Sequence, residues 1–211
     1  MSRIIWGAAG ERVYEAGVDR GVLYVGGIGV AWNGLTAVKQ SSSGGDPSPY
    51  YLDGVKYANV AGSEEFEATI EAYSSPQEFG QCDGTVGIQN GLFITQQKRK
   101  SFGLCYRVKL GNDVKGLEYG YALHLVYNAL SAPTDRDNST ISDSVDVNKL
   151  SWALTTTPPV VAGYRPSAHM VIDSTKTPAA KLSAVEDILY GTDSAAPRLP
   201  SQEELIALFS A

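Results

Sequence analysis

Three glutamates crowd one short run, Glu65-Phe66-Glu67-Ala68-Thr69-Ile70-Glu71. Carboxylates in pairs can divide acid and base work between them, as glycoside hydrolysis requires. Such pairs usually face each other across a cleft from different elements. Here all three project from one side of one segment, because Phe66, Ala68, Ile70 and Ala72 take the alternate positions. The row reads as a surface: either a solvated outer face, or one lining a space that should not hold anions.

The other chemically capable residues do not assemble into motifs. His124 and His169 are the two histidines, and neither has the spacing of a metal pair or a nucleophile triad. Each reads as structural. Gly27-Ile28-Gly29 opens like a dinucleotide fingerprint, but Trp32 stands where the third glycine belongs. Gly111 to Gly116 is followed by Leu117, not lysine, so no phosphate loop forms there. The acidic stretch at 135–139 lacks the glycine and closing glutamate of a calcium loop and reads as a solvated loop. Cys82 and Cys105 fit no metal spacing and read as two buried thiols, not a disulfide. The expectation is a non-enzyme with no catalytic residue, no cofactor and no metal.

Charge and length narrow the classes further. A net charge of −6 argues against tight nucleic-acid binding, where neutralising phosphates supplies much of the affinity. Gly21 to Val38 is free of formal charge, yet five glycines with Asn33 and Thr36 break it, so broken strands are expected and not a membrane span. At the start, Ile4-Ile5-Trp6 is cut by Gly7, Gly10, Glu11 and Arg12, unlike a secretory leader. A chain of 211 residues suits a single domain, 1–211. Its many glycines and prolines imply turns between short strands.

The elements that must position these residues follow from their periods. Residues 1–20 show no clean period and read as an N-terminal arm. Strand pieces are expected at 22–25 and 30–38, then a flexible Ser/Gly/Pro loop at 41–49. Asp53-Gly54 between Tyr50-Tyr51-Leu52 and Val55-Lys56-Tyr57 signals a two-residue hairpin. The acidic strand spans 65–73. Residues 75–90 read as a loop with a short helical turn, and 91–95 as a short strand. Lys98-Arg99-Lys100 is either an exposed turn or a docking site for an acidic neighbour, another copy included. Phe102 to Leu110 and Tyr119 to Tyr127 alternate and should form a long hairpin with aromatic pairs on one face. The stretch 132–147 reads as loop. Strands follow at 149–157 and 168–173. A helix is expected over 178–190, with Thr177 as its cap and Gly191 at its end. Ser201-Gln202-Glu203-Glu204 is a capping box that opens a short C-terminal helix over 201–211. That helix carries Leu205, Ile206, Leu208 and Phe209, which dock either on their own domain or on a neighbouring subunit. The fold class is mainly β (α+β): a β-sandwich or barrel with one flanking helix, long loops and a short C-terminal helix.

In order and spacing, several pieces resemble the major tail proteins of siphophages, particularly those infecting actinobacteria. They are Tyr51-Leu-Asp-Gly-Val-Lys-Tyr57, Glu65-Phe-Glu-Ala-Thr-Ile-Glu-Ala-Tyr73, then Pro76, Phe79 and Cys82-Asp-Gly84. Phe102-Gly-Leu-Cys-Tyr-Arg107, Gly111-Asn-Asp113, Leu150-Ser-Trp-Ala-Leu-Thr-Thr-Thr-Pro158, Asp187-Ile-Leu-Tyr-Gly191 and Pro197-Arg-Leu-Pro200 continue the likeness. The resemblance implies a structural virion protein of the phage tail-tube type, assembled in the host cytoplasm. Its subunits would stack as rings, commonly hexameric, into a hollow tube. Its partners would be itself and the tape-measure, tail-terminator and distal tail proteins. Genomic DNA would pass through during ejection without specific binding, and nothing would insert into a membrane. On this reading Glu65, Glu67 and Glu71 face the lumen, while Leu205, Ile206, Leu208, Phe209, Lys98, Arg99 and Lys100 are inter-subunit contacts. Three other readings stay open: a β-sandwich adhesion module that binds surface glycans, an enzyme with a concave pocket of perturbed carboxylates around Glu65 to Glu71, and the tube of a related contractile or secretion machine.

Overall fold

Strand alternation of the kind just described sets most of the ladder. The computed structural model describes residues 3–136, 138, 140 and 147–210. Parts of the loop expected at 132–147, with Asp137 and Ser139 of the acidic stretch, lie outside the described residues. Twelve strands appear among those described: β1 (Val13–Val25), β2 (Ile28–Ala31), β3 (Leu35–Gly44), β4 (Ser48–Leu52), β5 (Val55–Val60), β6 (Glu64–Ala72), β7 (Val86–Gln89), β8 (Leu92–Ile94), β9 (Phe102–Asn112), β10 (Gly116–Ser131), β11 (Leu150–Thr156) and β12 (His169–Asp173). Three helices accompany them: α1 (Gly80–Asp83), preceded by a 3-10 turn, α2 (Ala179–Tyr190) and α3 (Gln202–Ser210). The protein is mainly β with short helices, as its alternation implies.

Eight strands form one antiparallel sheet in the order β2-β1-β9-β10-β11-β6-β3, with β12 also paired to β10. The sheet curls until its far end returns to β1. The Trp32 amide continues the β1–β2 ladder by donating to the Gly21 carbonyl at 2.8 Å, and its indole crosses to the far end by donating to the Ser74 carbonyl after β6 at 2.8 Å. Gly21 permits this approach, since a Cβ there would sit 2.8 Å from a Leu35 methyl. Inside the curl lies a core of Leu23, Trp32, Ile70, Phe79, Leu104, Tyr106, Trp152 and Leu154. Trp32, Phe79 and Trp152 meet with ring centroids 4.7, 5.8 and 5.1 Å apart in tilted or edge-on poses. Such pairs contribute about 1 kcal/mol each beyond their area. A second core on the outer side joins Tyr24, Cys105, Leu123, Leu125 and Ile172 to Val185, Leu189 and Leu205 from α2 and α3.

β10 serves both cores. Leu123 and Leu125 face the helices, while His124 and Val126 face the inner core, and all four are buried. This corrects the expected aromatic pairing of the long hairpin. Tyr106 lies opposite His124, not opposite a tyrosine, and Leu123 and Leu125 lie opposite Arg107 and Cys105. Both faces of β10 are dry, because helices α2 and α3 cover the one that the inner core does not.

A bulge at Asn128 (φ 50°) lies where the ladder shifts register between Val126 and Ala129. Before it β10 pairs with β12, and after it with β11. The sheet therefore splits along one seam, with β6 and β11 on one side and β12 on the other.

Other differences from the sequence reading have local causes. Residues 13–20, expected within the arm, form the first half of β1 and pair with β9. Two bulges, at Gly17 (φ 72°) and Arg20 (φ 47°), reset the alternation and hide the strand's period. Ser41, Ser42 and Ser43, expected in a flexible loop, pair with Glu67, Phe66 and Glu65. The partner strand there overrides a weak local preference. Residues 86–89, expected as loop, pair with β8 across Asn90-Gly91. Thr177 does not cap α2; its hydroxyl donates to the Asp173 carbonyl, and Pro178 takes the cap position. Ser201 does cap α3, accepting the Glu204 amide at 3.1 Å.

Both thiols are free and fully buried. Burial pushes Cys82 up to about 11 and Cys105 up to about 12. We expect neither to react with an aromatic disulfide reagent at pH 8 over an hour, and both to react at once in denaturant. Prompt labelling of the native protein would contradict this packing.

Candidate functional site

The acidic row lies on β6 as its alternation requires. Phe66, Ala68 and Ile70 turn inward, and Glu65, Glu67 and Glu71 outward. Neighbouring outward positions are Lys39, Ser41, Ser151, Ala153 and Thr155, all exposed. The row is not uniformly negative. Glu71 is clamped between Lys149, at 2.6 Å, and Lys39. Hydrogen bonds from Lys149 and then Lys39 hold its carboxyl below the usual range. A carboxylate tied to two ammonium groups is a poor proton donor, so Glu71 does not suit acid catalysis. Glu65 is exposed and Glu67 half-buried, leaving net negative charge at one end of the row.

The apolar surface is concentrated elsewhere. β4 and β5 pair only with each other, through an Asp53-Gly54 turn in which both residues have positive φ. Two positive-φ residues suit a turn whose twist matches that of its strands. This hairpin holds Tyr50, Tyr51, Leu52, Val55, Tyr57 and Val60 in solvent, with Tyr51 66% and Tyr57 76% exposed. The β7–β8 hairpin likewise exposes Val86, Ile88, Leu92, Phe93 and Ile94. Ile4, Ile5 and Trp6, ahead of β1, form a third exposed set, with Trp6 83% exposed. A lone two-stranded hairpin is marginal in water, and contiguous apolar surface of this kind marks interaction sites.

Lys98 and Lys100 border a hollow of about 510 Å³ beside the β7–β8 hairpin, with Phe93, Val86 and Gln81. The Lys100 ammonium donates to Gln81 at 2.7 Å. Arg99 is half-buried, and among the described residues its Nε lacks a hydrogen-bond partner. The basic run is therefore two solvent-facing lysines around a packed arginine.

The C-terminal helix sits on its own sheet. Leu205 is 2% exposed within the outer core, Leu208 packs against that core, and Ile206 is half-buried. The Lys181 ammonium of α2 donates to the Phe209 carbonyl at 2.7 Å. Of the four residues proposed to dock on a neighbour, Phe209 alone is exposed, at 37%. Of the two docking options that the sequence left open for this face, Leu205 and Leu208 take the one on the chain's own domain.

A buried polar cluster went unread because its members are far apart in the chain. The seam between β6 and β12 opens as a cleft of about 1260 Å³ lined by Gln40, Glu64, Glu65, Phe66, Arg165 and His169, among others. At its floor His124 Nδ1 lies 3.1 Å from His169 Nε2. Gln40 reaches down to place its amide 3.1 Å from the same Nδ1, and donates to the Tyr106 hydroxyl at 2.7 Å. Tyr106 stacks on His124 with centroids 4.8 Å apart, and Phe66 on His169 at 4.4 Å. Burial lowers both imidazoles below their ordinary range; His169 falls to about 4, with His124 adding to the shift. Among the described residues no cluster of His, Cys, Asp and Glu has the makings of a metal site, and no helix is long and apolar enough to cross a membrane.

No protein-family model matches the chain, and no curated protein matches it. Solved structures are similar in part. One is the sheath-tube complex of an extracellular contractile injection system, PVC, in its extended state; there the identity is 19%, the TM-score 0.37, and the match covers 73% of this chain and 88% of that one. Another is the baseplate of the anti-feeding prophage, at 10% identity and a TM-score of 0.39, covering 82% and 100%. A third is the tube-terminating cap of the same prophage, at 13% identity and a TM-score of 0.36, covering 82% and 97%.

Proposed function

We propose that this chain is a structural subunit that polymerises with copies of itself into the hollow tube of a phage-type tail. The observation that carries the proposal is the β4–β5 hairpin, which projects six large apolar side chains into solvent and packs none of them on its own domain's cores. A monomer gains nothing from such an element, whereas a neighbour that covers it gains burial and lets the hairpin order. Two further features support self-association. The sheet ends in β2 and β3, edges that a neighbour's strand can extend. A hairpin that seats on a different patch of its neighbour makes a contact that closes into rings or runs into filaments.

The narrower parts of the proposal rest on the resemblance of residues 51–200 to siphophage tail proteins. These are the hexameric ring, the tape-measure, terminator and distal partners, and the passage of DNA. Glu65 and Glu67, with Glu71 largely neutralised by lysines, would line the lumen and keep phosphates from adhering. A second reading draws on the exposed Tyr50, Tyr51 and Tyr57, which suit stacking on sugar rings in a glycan-binding module.

Negative-stain electron microscopy of the purified, concentrated protein tests the proposal. Hollow rings or tubes of uniform diameter are expected. A protein that stays monomeric at every concentration, and is retained by immobilised glycans through those tyrosines, would replace it with the second reading.

A further inference from the structure

The seam at β6 and β12 carries an inference that does not depend on the tube. We propose that His124 and His169 form an acid-released latch across the floor of the cleft, closed while the pair carries at most one added proton and open once both rings are protonated.

The geometry specifies what the pair can hold. The two rings lie within 19° of a common plane, with centroids 5.2 Å apart and the facing nitrogens at 3.1 Å. That is an edge-to-edge contact with room for one proton between two nitrogens. Two neutral imidazoles satisfy it, one donating and the other accepting. One added proton also satisfies it, because an imidazolium still donates to a neutral partner. A second added proton places two N–H groups and two positive charges against each other, and the contact must break. His124 cannot retreat: it is buried on β10 and stacked against Tyr106, and among the described residues its Nε2 has no hydrogen-bond partner. His169 can, since it lies on β12 at the wall of the cleft.

The surroundings decide the sign. β9 presents the Tyr106 phenol to the pair, β3 the neutral Gln40, and β6 the face of Phe66. Glu15 on β1 favours the charged form of His124 from a distance. Glu64, Glu65 and Arg165 line the outer cleft, where solvent screens them. Desolvation outweighs these, so both rings are neutral in the native state at pH 7. A histidine whose folded pKa lies below its unfolded value stabilises the native state above the unfolded value and loses that contribution as pH falls toward the folded one. For this pair the window runs down from about 6.5 to about 4. Over it His169 alone lowers the folding constant about 80-fold. The seam opens near the lower end, where the second proton binds.

Imidazole nitrogen NMR of the intact protein across pH 7 to 3.5 tests the latch. Two coupled steps are expected, both below the ordinary histidine range. Hydrogen exchange should rise first in the β10–β12 ladder, at Leu123 to Val126 and His169 to Ile172, before the β1–β9 ladder responds. Two independent titrations near 6.5 would overturn the proposal, as would uniform exchange across both ladders. H169Q, followed by urea unfolding at pH 6.5 and 5, should lose most of the wild-type pH dependence in this range, which lies above that of the paired carboxylates. An unchanged dependence would also overturn the proposal. Should H169Q not fold, the wild-type titration decides alone.

Discussion

Truncation after Pro200 unfolds the monomer. The sequence left the C-terminal helix to dock on its own domain or on a neighbour, and in the second case its loss would spare the fold and stop assembly. The packing predicts the opposite. Leu205 fills the outer core against Leu189 and Val185 of α2 and Leu123 and Leu125 of β10. Deleting a buried leucine side chain costs about 3 kcal/mol when the site cannot collapse. Removing the helix also strips the cover of Leu208, the bond from Gln202 to the Ser167 carbonyl at 2.7 Å, and the paired contacts of Arg198 with Glu204. A domain with about 5–15 kcal/mol of total stability cannot lose several of these together and stay fully folded. L205A should lower the urea unfolding free energy by about 3 kcal/mol, and removal of residues 201–211 should leave no cooperative transition at 25 °C. If the truncated chain unfolds within 1 kcal/mol of the parent, α3 does not hold the core and its apolar face is left for a neighbour.

Replacing Tyr51 and Tyr57 together with serine abolishes assembly at concentrations where the parent polymerises. Both rings are in solvent in the single chain, so their removal should change monomer stability by less than about 0.5 kcal/mol. In an assembled state each ring would bury area worth about 1.5 kcal/mol. Losing two raises the critical concentration roughly 100-fold. Sedimentation of the variant and the parent across a concentration series measures this directly. Equal critical concentrations would mean that the hairpin is not a subunit contact. Variants with Ile88 and Phe93 replaced by serine then ask the same question of the β7–β8 hairpin.

The Asp53-Gly54 hairpin and the helix behind the Ser201 capping box are both local events, decided by backbone preference within a few residues, and both were legible. What each apolar face touches is a tertiary question. Leu205 and Tyr57 look alike as apolar side chains on short elements. One is buried because α2 and β10 present a matching surface, and the other is exposed because no strand of the main sheet reaches its hairpin.

The same division runs through the acidic row and the histidines. Alternation placed Glu65, Glu67 and Glu71 on one face, because successive side chains of a strand must point in opposite directions. It could not supply Lys39 and Lys149, which arrive from β3 and from the residue before β11 and neutralise Glu71. Read singly, His124 and His169 had no partner at any motif spacing. They meet because β12 pairs with β10 in a register that sets His124 against Val171, bringing His169 to the neighbouring inward position. No sequence spacing encodes a contact made across strands 45 residues apart.

By itself the sequence determined the strand-rich class, the tight turn at Asp53-Gly54, the acidic face of β6 and the cap of α3, since each depends on interactions within a few residues. The bulges in β1, the two-sided burial of β10, the histidine pair and the destination of every apolar face were decided only in three dimensions. Those features depend on which distant segments pack together, and sheet register is set by the whole core at once.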